Sequence, residues 1–173
     1  MSQYKRFYQS GGYYFFTLVS YHRRPIFVNC ENVKYFKDAI DKVKKSYPFF
    51  LNAIVILPDH LHCIWRLPEN DKDFSTRWRL IKRYFSMKMN TAINHRNEKE
   101  IWQRRFWEHS IRNEIDWQKR MDYIHYNPVK HGLVTSPGDW KHSSFNYWVK
   151  KGIYEKDWGS TEPIALVDMN EAE

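Results

Sequence analysis

At 173 residues, with 18% aromatic side chains (8 Trp, 12 Tyr, 11 Phe), the chain suits one domain with a substantial buried core, which argues against a disordered protein. No apolar run nears the roughly 20 residues of a bilayer span, and Cys30 and Cys63 form no CxxC pair, so a membrane protein, a disulfide framework and a cysteine zinc site are all disfavoured. Residues 1–151 hold 27 basic against 14 acidic side chains, a net +13, while residues 152–173 hold one Lys against six acids, a net −5; a basic body with an acidic tail points to a polyanion partner.

The N-terminus, MSQYKRFYQSGGYYFF, has no aliphatic signal core, so cytoplasmic residence is the expectation. After Gly11-Gly12, residues 13–21 (YYFFTLVSY) read as a first strand. Residues 29–45 carry Val33, Phe36, Ala39, Ile40 and Val43 at helical spacing, with Asn29 as a candidate cap. Residues 49–57 and 60–67 read as two strands joined at Pro58-Asp59 into a hairpin. Residues 74–97 form a longer helical pattern through Trp78, Ile81, Phe85 and Met89. Residues 101–112 read as a further strand. Residues 114–126 form a helix expected to end near Asn127, because Pro128 disfavours helical geometry in the residue before it. A short helix within 142–152 completes the order β-α-β-β-α-β-α. The fold class is α+β, with helices packed on a mainly antiparallel sheet.

Alternation along a strand puts His60, His62, Ile64 and Arg66 on one face, and Leu61, Cys63, Trp65 and Leu67 on the other. The second set is a core stripe, so the two imidazoles share the opposite face and can converge on one cation. Two water-bonded histidines on a half-exposed sheet would show the same HxH pattern. Four residues apart on a helix, Tyr123 and Asn127 share a face. A tyrosine hydroxyl can act as a covalent nucleophile. An amide oxygen can join two imidazoles in a mixed set that suits Mg²⁺ or Mn²⁺.

PDHLHCIW (58–65), RFWEHSIR (105–112) and DYIHYNPVKHGLV (122–134) together resemble the REP-associated tyrosine transposases, single-tyrosine members of the HUH endonuclease superfamily. The resemblance extends from YKRFYQSGGYYFFT (4–17) to WKHSSFNYWVKKGIYEKDW (140–158). It implies one transposase-like domain over residues 1–158; the acidic tail at 159–173 lies outside the match and is read from composition. It also implies a ferredoxin-like, RRM-like antiparallel sheet with flanking helices. Carried over by position, His60 and His62 become metal ligands, Tyr123 the nucleophile, and Asn127 the third ligand where relatives often have the longer Gln. Tyr126, beside Asn127, does not occupy the matching position.

The implied activity is metal-dependent cleavage and rejoining of single-stranded DNA at repeated extragenic palindromes, through a 5′-phosphotyrosine. The implied cofactor is Mg²⁺ or Mn²⁺. The implied substrate is a hairpin with a tetranucleotide 5′ of its foot, and the C-terminal extension points to a monomer. His125 or Glu108 could assist proton transfer, with a structural role the favoured reading for either. Tyr4, Lys5, Arg6, Arg23, Arg24, Arg77, Lys82, Arg83, Arg104 and Arg105 are the candidate DNA contacts, with Tyr4 to Arg6 favoured for the tetranucleotide. Trp78 and Trp107 read as core. The acidic tail would lie over the basic groove or serve as a solubilising extension. A rival reading is an RRM-like module that binds structured nucleic acid without cutting it; another is a hydrolase that uses water, with Tyr123 incidental.

Overall fold

The computed structural model describes residues 8–161, together with 163 and 166; Tyr4, Lys5 and Arg6 lie outside them. In chain order the elements are β1 (Tyr13–Val19), α1 (Cys30–Ser46), β2 (Phe50–Ile56), β3 (His60–Arg66), α2 (Phe74–Lys88), β4 (Trp107–Ser110), α3 (Glu114–Lys130) and α4 (Phe145–Lys150). The sheet runs β2-β3-β1-β4 and every pairing is antiparallel. This β-α-β-β-α-β core is the ferredoxin-like arrangement the sequence implied.

Each face of the sheet carries its own core. Tyr14, Phe16, Leu18, Leu61, Cys63 and Trp65 point toward α1 and α2, where Val33, Phe36, Ile40, Trp78 and Phe85 meet them. Phe15, Ala53, Val55 and Ile64 point the other way, against Met121, Tyr123 and Ile124 of α3. The strands are thus buried on both sides, so no face is left half wet for the two histidines. Leu166, from within the acidic tail, joins the second cluster.

Caps set most helix starts. Asn29, Asp73 and Asn113 each accept a backbone N–H from the first turn of α1, α2 and α3, respectively. Three boundaries differ from the sequence expectation. Helix α2 stops at Lys88, not near residue 97, because Met89 turns extended and the Lys99 ammonium donates to the carbonyls of Ser86 and Met89. Strand β4 is only four residues long; Trp102 makes a separate bridge to Ser20, and Gln103, Arg104 and Arg105 between them are exposed. Helix α3 runs through Pro128 to Lys130. The N–H groups of His131, Gly132 and Leu133 close onto the carbonyls of Asn127, Val129 and Pro128, with Gly132 at φ +65°, so a Schellman-type end offsets the bond that proline cannot donate.

The segment after α3 clamps that helix and seals the outer edge of the sheet. Ile56 donates to the carbonyl of His142 and Ser144 donates to that of Ile54, giving β2 a short added partner. His125 shares a 2.9 Å hydrogen bond with the Ser144 hydroxyl, and Tyr154 donates to the Asp122 carboxylate at 2.7 Å. Trp140 and Trp148 donate their indole N–H groups to carbonyls of β2.

Candidate active site

His60 and His62 stand at the start of β3, opposite Val19 and Thr17 of β1. Both are 1% exposed, and their ring centres are 5.0 Å apart. The His60 Nδ1 lies 2.6 Å from the Asp59 carboxylate, and the His62 Nδ1 lies 2.8 Å from the Thr17 hydroxyl. With each Nδ1–H donated outward, both Nε2 lone pairs are left as acceptors, and neither Nε2 has a hydrogen-bond partner. Burial pushes the pKa of His60 down, against the upward pull of Asp59. For His62 burial dominates, and the charges of His60, His131, Lys130 and Arg23 push the same way. Both rings are thereby held in the neutral, ligand-competent form.

Helix α3 brings the other two groups. The Tyr123 ring is edge-on to His62 at 5.1 Å and to Phe15 at 5.9 Å, and the Lys130 ammonium sits 5.0 Å from its centre. One turn later, Asn127 is fully buried, and neither atom of its amide has a partner. Buried amides without partners are costly and rare, as are buried imidazole nitrogens. Among the described residues no three His, Cys, Asp or Glu side chains gather as a metal site, so a cation here would take its third donor from the Asn127 oxygen. Two neutral imidazoles and one amide oxygen, all without partners, fit a divalent cation that keeps further positions open.

Residues 8–127 match the family described as transposase IS200 like, a span that takes in both histidines, Tyr123 and Asn127. A REP-associated tyrosine transposase of Escherichia coli (strain K12) is 47% identical over 158 residues, 91% of each chain. The chain belongs to the REP-associated tyrosine transposases. A relative of this transposase from Haemophilus influenzae is 40% identical over 173 residues, covering 96% of this chain and 98% of that one. A solved structure of a REP-associated tyrosine transposase bound to a REP hairpin matches with TM-score 0.82 at 46% identity, over 95% of this chain and 96% of that one.

The candidate DNA contacts divide. Arg77 is corrected outright: it is 1% exposed, and its guanidinium is spent on the carbonyls of Tyr47, Pro48 and Asp73 and on the Asp71 carboxylate. Arg23 reaches the site itself, pairing with Asp59 at 3.0 Å behind His60. Arg24 lies over the Tyr21 ring, Lys82 donates to the carbonyl of Gln103, and Arg104 pairs with Glu98. Arg83 and Arg105 are exposed.

The two candidate proton carriers are elsewhere. Glu108 pairs in register with Phe16 and so faces the α1–α2 side of the sheet, away from His62. His125 faces Ser144, Phe145 and Tyr154. Tyr126 packs toward Trp158. Trp78 is core as expected, while Trp107 is half-buried on the site face, beside Phe15. Asp59, Thr17, Lys130 and His131 (whose ring is 5.1 Å from that of His60) went unread in the sequence. Only the strand register and the helix end show that they border the site.

Proposed function

We propose that this transposase cleaves and rejoins single-stranded DNA at REP-type hairpins, with Tyr123 as the nucleophile. The observation that carries the reading is one juxtaposition. Tyr123 packs against His62, which neighbours His60, and Asn127 lies one turn further along the same helix; His60 Nε2, His62 Nε2 and Asn127 Oδ1 are all buried without partners.

The Tyr123 oxygen attacks the phosphorus of the scissile phosphodiester. A Tyr–O–P bond forms as the P–O3′ bond breaks. The 5′-phosphate stays on the protein, and the released 3′ oxygen takes up a proton as the tyrosine gives one up. Because one phosphodiester replaces another, the reverse attack by a 3′-OH rejoins DNA without an external energy source. The ring neighbours Phe15 and His62 fix the angle of the phenol. Lys130 sets a positive charge where the phosphate arrives. His60, His62 and Asn127 would hold Mg²⁺ or Mn²⁺, which when bound polarises a non-bridging phosphate oxygen.

The DNA partner follows from the relatives: one is named for REP association and another is bound to a REP hairpin. The tetranucleotide 5′ of the hairpin foot is part of the same proposal, as is a monomer, since one chain supplies all four site residues. No helix among the described residues is long and apolar enough to cross a membrane, and we place the protein with its DNA in the cytoplasm. The division into a domain at 1–158 and an acidic tail at 159–173 is likewise our reading.

The test is a denaturing gel. Wild type and Tyr123→Phe are mixed with Mn²⁺ and labelled hairpins drawn from the repeats flanking the gene. A protease-sensitive labelled adduct in wild type alone is the expected result. Cleavage by both proteins without an adduct would move the nucleophile to water. Binding without cleavage would leave a binding module.

A further inference from the structure

A concavity opens at the end of the sheet where β1 finishes and β3 begins. Its volume is about 550 Å³, and Tyr21, His22, His95, Arg96, Trp102 and Arg104 are among the residues that line it. The size suits a nucleotide-scale ligand. Two connections build it: the turn after β1 and the loop between α2 and β4. Both are tied to the strand ends. Ser20 donates to the carbonyl of Asp59, Tyr21 to that of Ile101, and Gln103 to that of Val19. The residue paired with Val19 is His60, so the cavity abuts the strand ends beside the candidate metal site.

A further observation points to a ligand. His22 and Arg23 both adopt φ +52°, two successive non-glycine residues in the left-handed region. Such strain is concentrated at ligand clamps and active sites. The strained pair faces two ways: His22 lines the cavity, while Arg23 pairs with Asp59 and, through it, His60.

The chemistry of the walls selects the ligand class. Tyr21 and the two imidazoles offer flat faces, and Arg96 and Arg104 offer charge to phosphate. Glu98 and Glu100 also line the cavity, but Glu98 is paired with Arg104 and Glu100 accepts from Asn94. We propose that this cavity receives one unpaired nucleotide of the bound DNA, on the single-stranded side of the scissile phosphate. Occupancy presses on the turn that carries Arg23 and so reports to Asp59 and His60. The proposal rests on the DNA reading given above.

The experiment is a thermodynamic cycle between protein and DNA. Hairpins with single-stranded flanks are given one abasic residue at each flank position in turn, and binding is measured without cleavage in metal-free buffer. In wild type, one position should weaken binding about tenfold or more, the scale of a lost base–aromatic stack. In Tyr21→Ala and in His22→Ala, each of which removes one flat face from the wall, that penalty should shrink at the same position and no other. Penalties of equal size in wild type and both variants overturn the proposal. If wild type binds the hairpins no better than an unstructured strand, the DNA reading itself has failed, a different result from intact binding with uncoupled penalties.

Discussion

Asp59 stands directly behind His60: one carboxylate oxygen is 2.6 Å from the His60 Nδ1, and the other is 3.0 Å from the Arg23 guanidinium. Burial tends to raise the pKa of Asp59, but the hydrogen bonds and charges of His60 and Arg23 outweigh it and bring the net shift down. The carboxylate is therefore charged at neutral pH and fixes which imidazole nitrogen faces the site. Asp59→Ala should lower Mn²⁺ affinity by about ten- to hundredfold. Asp59→Asn, which keeps an oxygen acceptor, should recover most of it. A spectroscopic Mn²⁺ titration decides, and unchanged affinity in the alanine variant would remove Asp59 from any orienting role.

Asn127 is buried with both ends of its amide unsatisfied. Each such group costs about 1–3 kcal/mol in a protein without bound metal. Asn127→Leu, of similar size, should therefore raise the metal-free melting temperature by a few degrees. Wild type should gain a further rise when Mn²⁺ is added, and the same variant should lose it. Calorimetry with and without the ion reads both effects.

Acid sensitivity should have a defined sign. Burial lowers the pKa of His125 to about 3, against about 6.5 in the unfolded chain. Between those values the unfolded chain binds a proton that the native ring refuses. Stability is thus intact above about pH 6.5 and declines as pH falls toward 3. His60 and His62, also shifted down, act in the same direction. His125→Gln should reduce the slope of stability against pH by about one proton, as read from urea midpoints between pH 4 and pH 7.

Arg77 ties the end of α1 to the start of α2 through five hydrogen bonds, to Tyr47, Pro48, Asp71 and Asp73. Arg77→Met should cost about 3 kcal/mol or more, by stranding the carboxylate and three carbonyls. The protein that remains folded should bind DNA as wild type does. A selective loss of DNA affinity at unchanged stability would return Arg77 to the interface.

The HxH face was legible because alternation in β3 leaves only one consistent choice: Leu61, Cys63 and Trp65 had to be core; the ferredoxin-like sheet came only through the family resemblance. Tyr123 and Asn127 were legible through helical spacing, and their roles only through motif order. The end of α3 was misread because Pro128 is a local signal, while the Schellman closure that overrides it depends on Gly132, four residues on. Arg77 was misread because surface and buried arginines look alike until the carbonyls around them are placed. Thr17 and Asp59 were invisible as partners of the histidines. One is separated from its partner by 45 residues of chain, and the other looked like half of a turn signal.

Tyr123 and Asn127 ride on one helix, and His60 and His62 on one strand. The site is therefore split between two stiff bodies and has a single seam. Any shift of α3 against the sheet moves the Tyr123 hydroxyl and the Asn127 amide in the same stroke, so under the proposed roles a partly armed state is hard to reach. A DNA strand wedged along that seam would arm or disarm the protein as a unit, and a chain with a loosened clamp at Ser144 or Tyr154 should lose metal binding and DNA attack together.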